Sequence, residues 1–294
     1  MPCDDDVHDA RRRARHALAS VRSESLRYAR AALGGPLALE TPAARAVAVI
    51  VVVLLTLLTE IGGVVAWPFI GVAAAMRGAR RWLALLAGSA SYACLAVFVV
   101  PIVASWFGRI PLPCAPEGSL APRSFVYCVA LRNYVVPALA ADALAIADDV
   151  RARDPGTSVR YLDGAFPFPG LPLLPHLSHG DAHRLDLALP FESGGSPIGY
   201  FGYAPLADGE SPACPPRLFD LRWDLDPIQP LLGPPVLDVA RASRLVRAAV
   251  ARPGIRRVLV EPHVADQLGV RSSEIAFQGC HAARHDDHVH LDAR

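Results

Sequence analysis

The sequence contains no lysine: all 29 basic residues are arginine, and they face 28 acidic residues. The net charge of +1 offers no broad basic surface to neutralise phosphates, so nucleic acid is not expected as a partner. Charge is also missing from two long stretches. Glu60 is the only charged residue between Ala46 and Met76, and no charged residue occurs from Trp82 to Gly108.

Both stretches exceed the roughly 20 apolar residues that a membrane-spanning helix requires. The alternative, a pair of buried core helices, is less favoured because soluble helices of this length usually carry a polar face. A secretory signal is not expected, since the first stretch begins late and lacks an evident small-residue cleavage site. We therefore predict two transmembrane helices within residues 44–108, preceded by a basic leader over residues 1–43.

The arginines do not define how these two crossings are oriented. The short loop "RGARR" (Arg77 to Arg81) separates the crossings, and basic loops tend to remain cytoplasmic. The leader, with "RRRAR" from Arg11 to Arg15, is basic as well. Two crossings place the leader and this loop on opposite sides, so one basic segment has to break the rule. The leader itself is typical either of a helix lying on a membrane surface or of a solvated arm.

Cysteine gives a further indication of compartment. Two of the six cysteines lie in the leader and the apolar region, and four lie in the C-terminal part: Cys114, Cys128, Cys214 and Cys280. Four cysteines allow two disulfides in three possible pairings, which would suit an oxidising periplasm. Four unpaired thiols in a cytosolic domain are the alternative.

The remaining chain, residues 109–294, is long enough for one domain. Its patterns predict a helix over Val135–Arg153 and a second helix within "LDVARASRLVRAAVARPG". Strands are predicted within "SVRYLDGAF", "HRLDLAL", "IRRVLVEPHV" and "HDDHVHLD". The Gly/Pro-rich segment Glu192–Pro216 is typical of a loop that shapes a cleft. The fold class predicted is α+β: a small antiparallel sheet with flanking helices and long loops.

Histidine and aspartate concentrate in two clusters of this domain. In the tail "HDDHVH", residues two apart share one face of a strand at about 6.5 Å, so His288 and His290 point the same way. Asp286 joins them if the strand extends back. Upstream, "LSHGDAHRLDL" places His179 seven residues before Asp186. A catalytic zinc site takes about three protein ligands, so the clusters favour one shared site over scattered surface histidines.

These two motifs carry a family resemblance. "SHGDAHRLDL" together with "HDDHVH" resembles the penicillin-insensitive murein endopeptidases, which are zinc peptidases of the group that includes lysostaphin and the D-Ala-D-Ala peptidases. The family pattern is His, six residues, Asp, and later His-x-His, with "HDDH-x-H" as the endopeptidase form. "RLVRAAVARPGIRRVLVEPHVADQLG" is similar to the helix–strand–helix that precedes this tail. The resemblance covers about Arg160 to His290 and no part of the apolar region.

The resemblance implies that His179, Asp186 and His290 bind Zn²⁺. It also implies that His288 handles the proton or stabilises the tetrahedral intermediate, and that His285 is a further active-site histidine. Asp287 is a rival base, but on a regular strand it would face away from His288 and His290. The other polar residues of the two clusters are expected to be loop or surface groups without a role: His176, Asp181, His183, His263 and His281.

One departure concerns the turn after the first ligand. Relatives usually carry glycine three residues after the histidine, where this chain has Ala182. A glycine would serve a tight turn, so the loop geometry is open to change.

The function expected is a membrane-anchored zinc metallopeptidase of the bacterial inner membrane, with its catalytic domain in the periplasm. Its partners would be the peptide cross-links of peptidoglycan. The alternatives are a D-Ala-D-Ala carboxypeptidase or dipeptidase of the same group, and a catalytically idle domain that binds zinc or cell wall. A cysteine hydrolase that uses Cys280 is a further alternative.

Overall fold

The protein is described by a computed structural model, which covers residues 3–174, 176–192, 213–214, 236–282 and 284–294. Most of the predicted cleft-shaping segment Glu192–Pro216 lies outside the described residues. The chain divides into two compact units, Met1–Phe98 and Val99–Arg294. The first contains the leader and most of the apolar region, and the second contains the predicted metal ligands.

Helices make up the first unit, with the last of them continuing into the second. The first unit contains α1 (Cys3–Gly34), α2 (Pro42–Thr59), α3 (Gly62–Ala75) and α4 (Arg80–Cys94), and α4 continues into α5 (Val100–Trp106), which belongs to the second unit. A 3-10 turn, Gly35–Ala38, follows α1, and a π-helical turn, Leu95–Val99, joins α4 to α5. Two helices are long and apolar enough to cross a membrane, Pro42–Thr59 and the continuous helix Arg80–Trp106.

The first apolar stretch is not the single helix that the sequence predicted. The chain leaves α2 at Glu60, which has a left-handed φ of 64° and donates its N–H to Thr56 O at 2.8 Å. The Thr59 hydroxyl then accepts the N–H of Gly62, where α3 begins. A Cβ on Gly63 would lie 2.2 Å from Val52 O, so glycine alone permits this close packing of α3 on α2. The first apolar stretch therefore contains two helices, of which only Pro42–Thr59 is long and apolar enough to cross a membrane by itself, and the number of crossings stays a prediction.

The second unit is built on a six-stranded sheet. Its strands are β2 (Leu120–Pro122), β4 (Val159–Tyr161), β5 (Arg184–Ala188), β6 (Ile255–Leu259), β7 (Ile275–Ala276) and β8 (His288–Ala293). They are ordered β2-β4-β5-β8-β6-β7. A two-stranded sheet pairs β1 (Ile110–Pro111) with β3 (Tyr134–Val135). The central pairs are antiparallel, whereas β2 pairs with β4 and β6 with β7 in parallel. The predicted antiparallel pairing is confirmed for the centre of the sheet, and the sheet differs from the prediction in the parallel pairs at its two edges.

Helices α7 (Pro137–Arg153) and α8 (Val239–Val250) share a hydrophobic core with this sheet. Two shorter helices, α6 (Val126–Val129) and α9 (Pro262–Leu268), complete the unit. The predicted combination of helices and short strands is confirmed, and both predicted helices form. The tail strand starts only at His288, because residues 285–287 do not pair as a strand.

The C-terminal cysteines form two disulfides, Cys114–Cys128 and Cys214–Cys280. This selects one of the three pairings that the sequence left open. Because the Cys280 sulfur is bonded to Cys214, it is not a nucleophilic thiol, and the structure argues against the cysteine-hydrolase alternative. Cys94, in the apolar region, is unpaired and exposed.

Candidate metal centre

Strand register brings the two sequence clusters together. In the antiparallel pairing of β5 with β8, Asp186 lies directly opposite His290, and Ala188 lies opposite His288. Directly opposed residues of antiparallel strands project to the same face of the sheet. About a hundred residues of chain separate the partners, yet His290 Nδ1 lies 2.8 Å from Asp186 Oδ1.

His179 reaches the same point from the 3-10 turn Leu177–Asp181, which directly precedes β5. Ala182 ends this turn in the left-handed region, with φ 63° and ψ 11°, and is fully buried. Its N–H donates to His179 O, and its carbonyl accepts the N–H of Val136. The turn that glycine would serve is therefore formed by alanine, at a conformational cost of about 1–2 kcal/mol.

Three candidate ligand atoms form a small triangle. His179 Nε2 lies 3.2 Å from His290 Nδ1 and 3.4 Å from Asp186 Oδ1, and the third side is the 2.8 Å contact between Asp186 and His290. A tetrahedral zinc ion with bonds of about 2.0–2.1 Å spaces its ligand atoms about 3.3 Å apart. Two imidazole nitrogens and one carboxylate oxygen are also a donor set that zinc accepts. The residues present therefore fit a bound zinc ion.

Hydrogen bonds and burial fix this triangle in place. His179 Nδ1 lies 2.8 Å from Gly164 O, so Nδ1 carries the proton and Nε2 presents its lone pair to the site. The Asp186 backbone is held on both sides, because its carbonyl accepts from Leu162 and its N–H donates to Asp163. All three ligand residues are buried. Burial opposes ionisation of Asp186, but the surrounding histidines, His179 first, hold the pKa of this carboxyl well below its usual range.

His176 also belongs to this group, although it was expected to be a loop residue without a role. Its Nδ1 lies 3.1 Å from Asp186 Oδ2 and 3.7 Å from Asp163 Oδ2. Ligand atoms of His176, His179 and Asp186 all lie within 4.8 Å of one another, close enough to hold a metal ion. His176 directly precedes the 3-10 turn that carries His179, and its spacing of three residues from His179 was the signal for it in the sequence.

His288 faces the same centre beside the triangle. Its Nε2 lies 3.9 Å from Asp186 Oδ2, and its Nδ1 lies 2.5 Å from Asp287 Oδ1. Burial disfavours the charged imidazolium, but Asp287 and Asp186 outweigh it and raise the pKa of His288 to about 9. The expectation that Asp287 faces away from His288 is wrong, because Asp287 precedes the first residue of β8 and escapes the alternation of the strand.

His285 is the third histidine of the tail at this site. Its ring centroid lies 4.9 Å from that of His288 and 5.6 Å from that of His290. Burial and the neighbouring His288 lower the pKa of His285 well below its usual range, so the ring is neutral. Glu261 anchors this part of the tail through two hydrogen bonds, one to His285 O and one from His285 N–H.

The other polar residues of the two sequence clusters lie either in the cleft above the triangle or around it. Asp286 does not join His288 and His290, since it binds Arg284 and its Oδ2 lies 3.9 Å from His263 Nε2. Burial raises the pKa of Asp286 to about 7. Asp181 accepts from the backbone of His183 and from Arg184, as expected of a loop carboxylate. His281 helps to line a cleft of about 270 Å³ over the centre, together with His176, Leu177, Ser178, His179, Asp186, Gln278, Ala282, His285 and His290.

No family model and no curated protein matches this chain. The resemblance to the murein endopeptidases therefore stays a prediction based on the two motifs. What the structure adds is a histidine and aspartate group that is close enough to hold a metal ion.

Proposed function

We propose that this protein is a membrane-anchored zinc peptidase that hydrolyses the peptide cross-links of peptidoglycan. The observation that carries the proposal is the triangle of His179 Nε2, Asp186 Oδ1 and His290 Nδ1, in which two sides, 3.2 and 3.4 Å, agree with the ligand spacing of tetrahedral zinc and the third, 2.8 Å, is shorter. Three protein ligands leave a fourth position open, which is typical of catalytic and not of structural zinc. The cleft above the triangle gives a substrate access to it.

A zinc ion held there would polarise the scissile carbonyl and lower the pKa of the attacking water. The chain supplies the proton transfer: His288 Nε2 faces the centre, and Asp287 holds the opposite nitrogen so that the ring stays oriented. The water would lose its proton to solvent before its oxygen attacks the carbonyl carbon. His288, whose pKa Asp287 and Asp186 raise to about 9, carries a proton at neutral pH and stabilises the negative charge that develops on the substrate oxygen. It donates this proton to the leaving amine as the C–N bond breaks and regains one from solvent. Neutral His285 packs against His288 and limits solvent around it.

Three arginines of low exposure, Arg109, Arg132 and Arg284, are each bound by other groups of the protein, which favours cleavage within a peptide over removal of a terminal residue. A carboxypeptidase requires a cation for the free carboxylate of its substrate. Arg132 forms a two-point ion pair with Asp163, and Arg284 binds Asp286. Arg109 donates to the carbonyls of Phe166, Phe168 and Gly180. Within the described residues, each of these three guanidinium groups is already bound.

The apolar helices support the membrane anchor. Along α2, large apolar side chains such as Ile50, Leu54 and Leu58 are exposed and none of its residues is fully buried, which a soluble core helix would not show. The helix Arg80–Trp106 carries Trp82 and Trp106 near its ends, both exposed and roughly 36 Å apart at about 1.5 Å per residue. Tryptophan is enriched at both interfaces of a bilayer. The two disulfides suit an extracytoplasmic domain, which for peptidoglycan means the periplasm.

Metal analysis of the full-length protein in detergent, followed by incubation with muropeptide dimers, tests this proposal. We expect one zinc per chain and chelator-sensitive conversion of dimers to monomers. His179→Ala, Asp186→Ala and His290→Ala should lose both, whereas His183→Ala, in the same segment, should keep both. Zinc-loaded protein that leaves dimers intact would indicate the idle binding domain instead. Release of a terminal D-Ala without loss of dimers would indicate a carboxypeptidase.

A further inference from the structure

The direction of α3 bears on how the chain crosses a membrane. A cavity of about 400 Å³ in the first unit is lined by Ala44, at the start of α2, by Ala73 and Ala74, at the end of α3, and by Arg81, at the start of α4. Gly63, at the other end of α3, packs against Val52 and Thr56 in the second half of α2. Helix α3 therefore runs antiparallel to α2 and returns the chain to the level at which α2 began.

The leader joins the first unit at this same end. Trp67 Nε1 in α3 donates to Leu33 O in α1 at 3.1 Å. A Cβ on Gly71 would lie 1.8 Å from Ala31 O, so α1 and α3 touch backbone to backbone near the end of α3. The last residues of α1 and the loop that follows α3 thus lie at one end of the helical unit.

Two of the three helices are long enough for a full passage, and α3 is shorter than the apolar core of a bilayer. At about 1.5 Å per residue, α2 rises roughly 27 Å, α3 roughly 21 Å and the helix Arg80–Trp106 roughly 40 Å, against an apolar core of about 30 Å. The shorter α3 is tolerated because it packs between neighbours, against α2 through Gly63 and against α4 through the contact of Gly88 with Phe69. Small residues at such contacts are typical of helices packed in a bilayer.

Arginine is concentrated at one end of this bundle, although the leader also holds six acidic residues. The leader holds seven arginines and the loop Arg77–Arg81 holds three, all at the end where α2 and α4 begin. The turn between α2 and α3, at the other end, holds Glu60 and no basic residue. Basic segments next to membrane helices remain cytoplasmic and lie against anionic lipid headgroups.

We propose that the chain passes through the bilayer three times, as α2, α3 and the helix Arg80–Trp106. The arginine-rich leader and the loop Arg77–Arg81 then lie together against the cytoplasmic leaflet, and the chain emerges after Trp106 into the periplasm. Both basic segments obey the same rule, so the conflict created by two crossings disappears. All four cysteines of the two disulfides lie beyond Trp106, on the oxidising side. This inference deepens the proposed function and rests on its membrane anchor, but it does not depend on the metal centre.

Cysteine labelling of the full-length protein in bacterial cells tests the inference. Cys3 and Cys94 are replaced by serine, so that the other native cysteines are protected as disulfides. Single reporters are then introduced at exposed positions: Ser20→Cys in the leader, Ala79→Cys in the loop and Glu117→Cys beyond the last helix. A membrane-impermeant maleimide is applied to intact spheroplasts and, in parallel, to permeabilised ones.

We expect the Glu117→Cys reporter to be labelled in intact spheroplasts, and the Ser20→Cys and Ala79→Cys reporters only after permeabilisation. Labelling of Ala79→Cys and Glu117→Cys on the same side would overturn the three passages, and so would separation of Ser20→Cys from Ala79→Cys. Zinc content and dimer cleavage are measured on the same variants. A labelling pattern that excludes three passages, together with intact dimer cleavage, would refute this inference and leave the proposed function standing. Protection of Glu117→Cys in intact spheroplasts would remove the proposed periplasmic function as well.

Discussion

Asp287 is expected to affect the reaction only through His288, and a double-mutant cycle can test this. Asp287 Oδ1 lies 2.5 Å from His288 Nδ1, and each residue is 1% exposed. Asp287 is absent from the triangle of ligand atoms, whereas His288 Nε2 points toward Asp186 at 3.9 Å. The carboxylate therefore orients the imidazole and stabilises its protonated form.

The expected magnitude follows from the proton transfer that His288 performs. General acid–base catalysis contributes about 10²–10⁴-fold to a rate, which corresponds to about 3–5 kcal/mol of activation free energy. His288→Ala should lose all of this contribution. Asp287→Asn should lose about 10²-fold or more, because the amide holds the ring without supplying charge. The double variant should be no slower than His288→Ala, so the two effects should be strongly non-additive.

The assay measures kcat for dimer cleavage, with the zinc content of each variant determined in parallel. Asp292→Asn is the matched control, since this carboxylate lies two residues beyond His290 and binds Arg256 at 2.6 Å. The control should retain the parent kcat, and all variants should retain zinc. A double variant more than about tenfold slower than His288→Ala would show that Asp287 acts on the substrate directly. Loss of zinc from Asp287→Asn would refute the assignment in a different way, by making Asp287 part of the metal site.

Two further predictions concern the segment around His179. His176→Ala should weaken zinc binding by about 10–100-fold, because His176 orients Asp186 through its contact at 3.1 Å. Competition with a chromophoric chelator measures this, and an affinity equal to that of His183→Ala would contradict it. Ala182→Gly should change the free energy of unfolding by less than about 1 kcal/mol, because relief of about 1–2 kcal/mol of backbone strain is offset by loss of a buried methyl and by chain entropy. Ala182→Val should instead destabilise the protein by more than about 1 kcal/mol, since a β-branched residue is poorly tolerated at φ 63°. Chemical denaturation measures the free energy of unfolding of both variants. Equal stability of the two would refute the argument from backbone strain.

Local patterns were sufficient for most elements of the second unit. The predicted helix over Val135–Arg153 forms as Pro137–Arg153, and the strand predicted within "HRLDLAL" forms as Arg184–Ala188. Both predictions depend on side-chain periodicity and on proline or glycine at the ends, which act within a few residues. The same reasoning did not predict the reversal of the chain within the first apolar stretch. Hydropathy does not reveal that Gly62 and Gly63 let α3 fold back on α2.

At the candidate metal centre, the sequence predicted the ligand residues but not all of their contacts. The family resemblance implied His179, Asp186 and His290 as metal ligands, and the structure places one nitrogen or oxygen atom of each within 3.4 Å of the others. The sequence could not assign His176 to Asp186 or Asp287 to His288, because these contacts depend on a 3-10 turn and on a tail that leaves the strand alternation before His288.

The sequence by itself determined which residue types are available for chemistry and which stretches are too apolar for water, because composition and short-range periodicity are properties of the chain alone. Only the tertiary structure decided which carboxylate meets which imidazole, which cysteines pair and where the apolar chain reverses. Those outcomes depend on strand register and on backbone contacts between residues far apart in sequence. Local sequence patterns do not reveal such contacts.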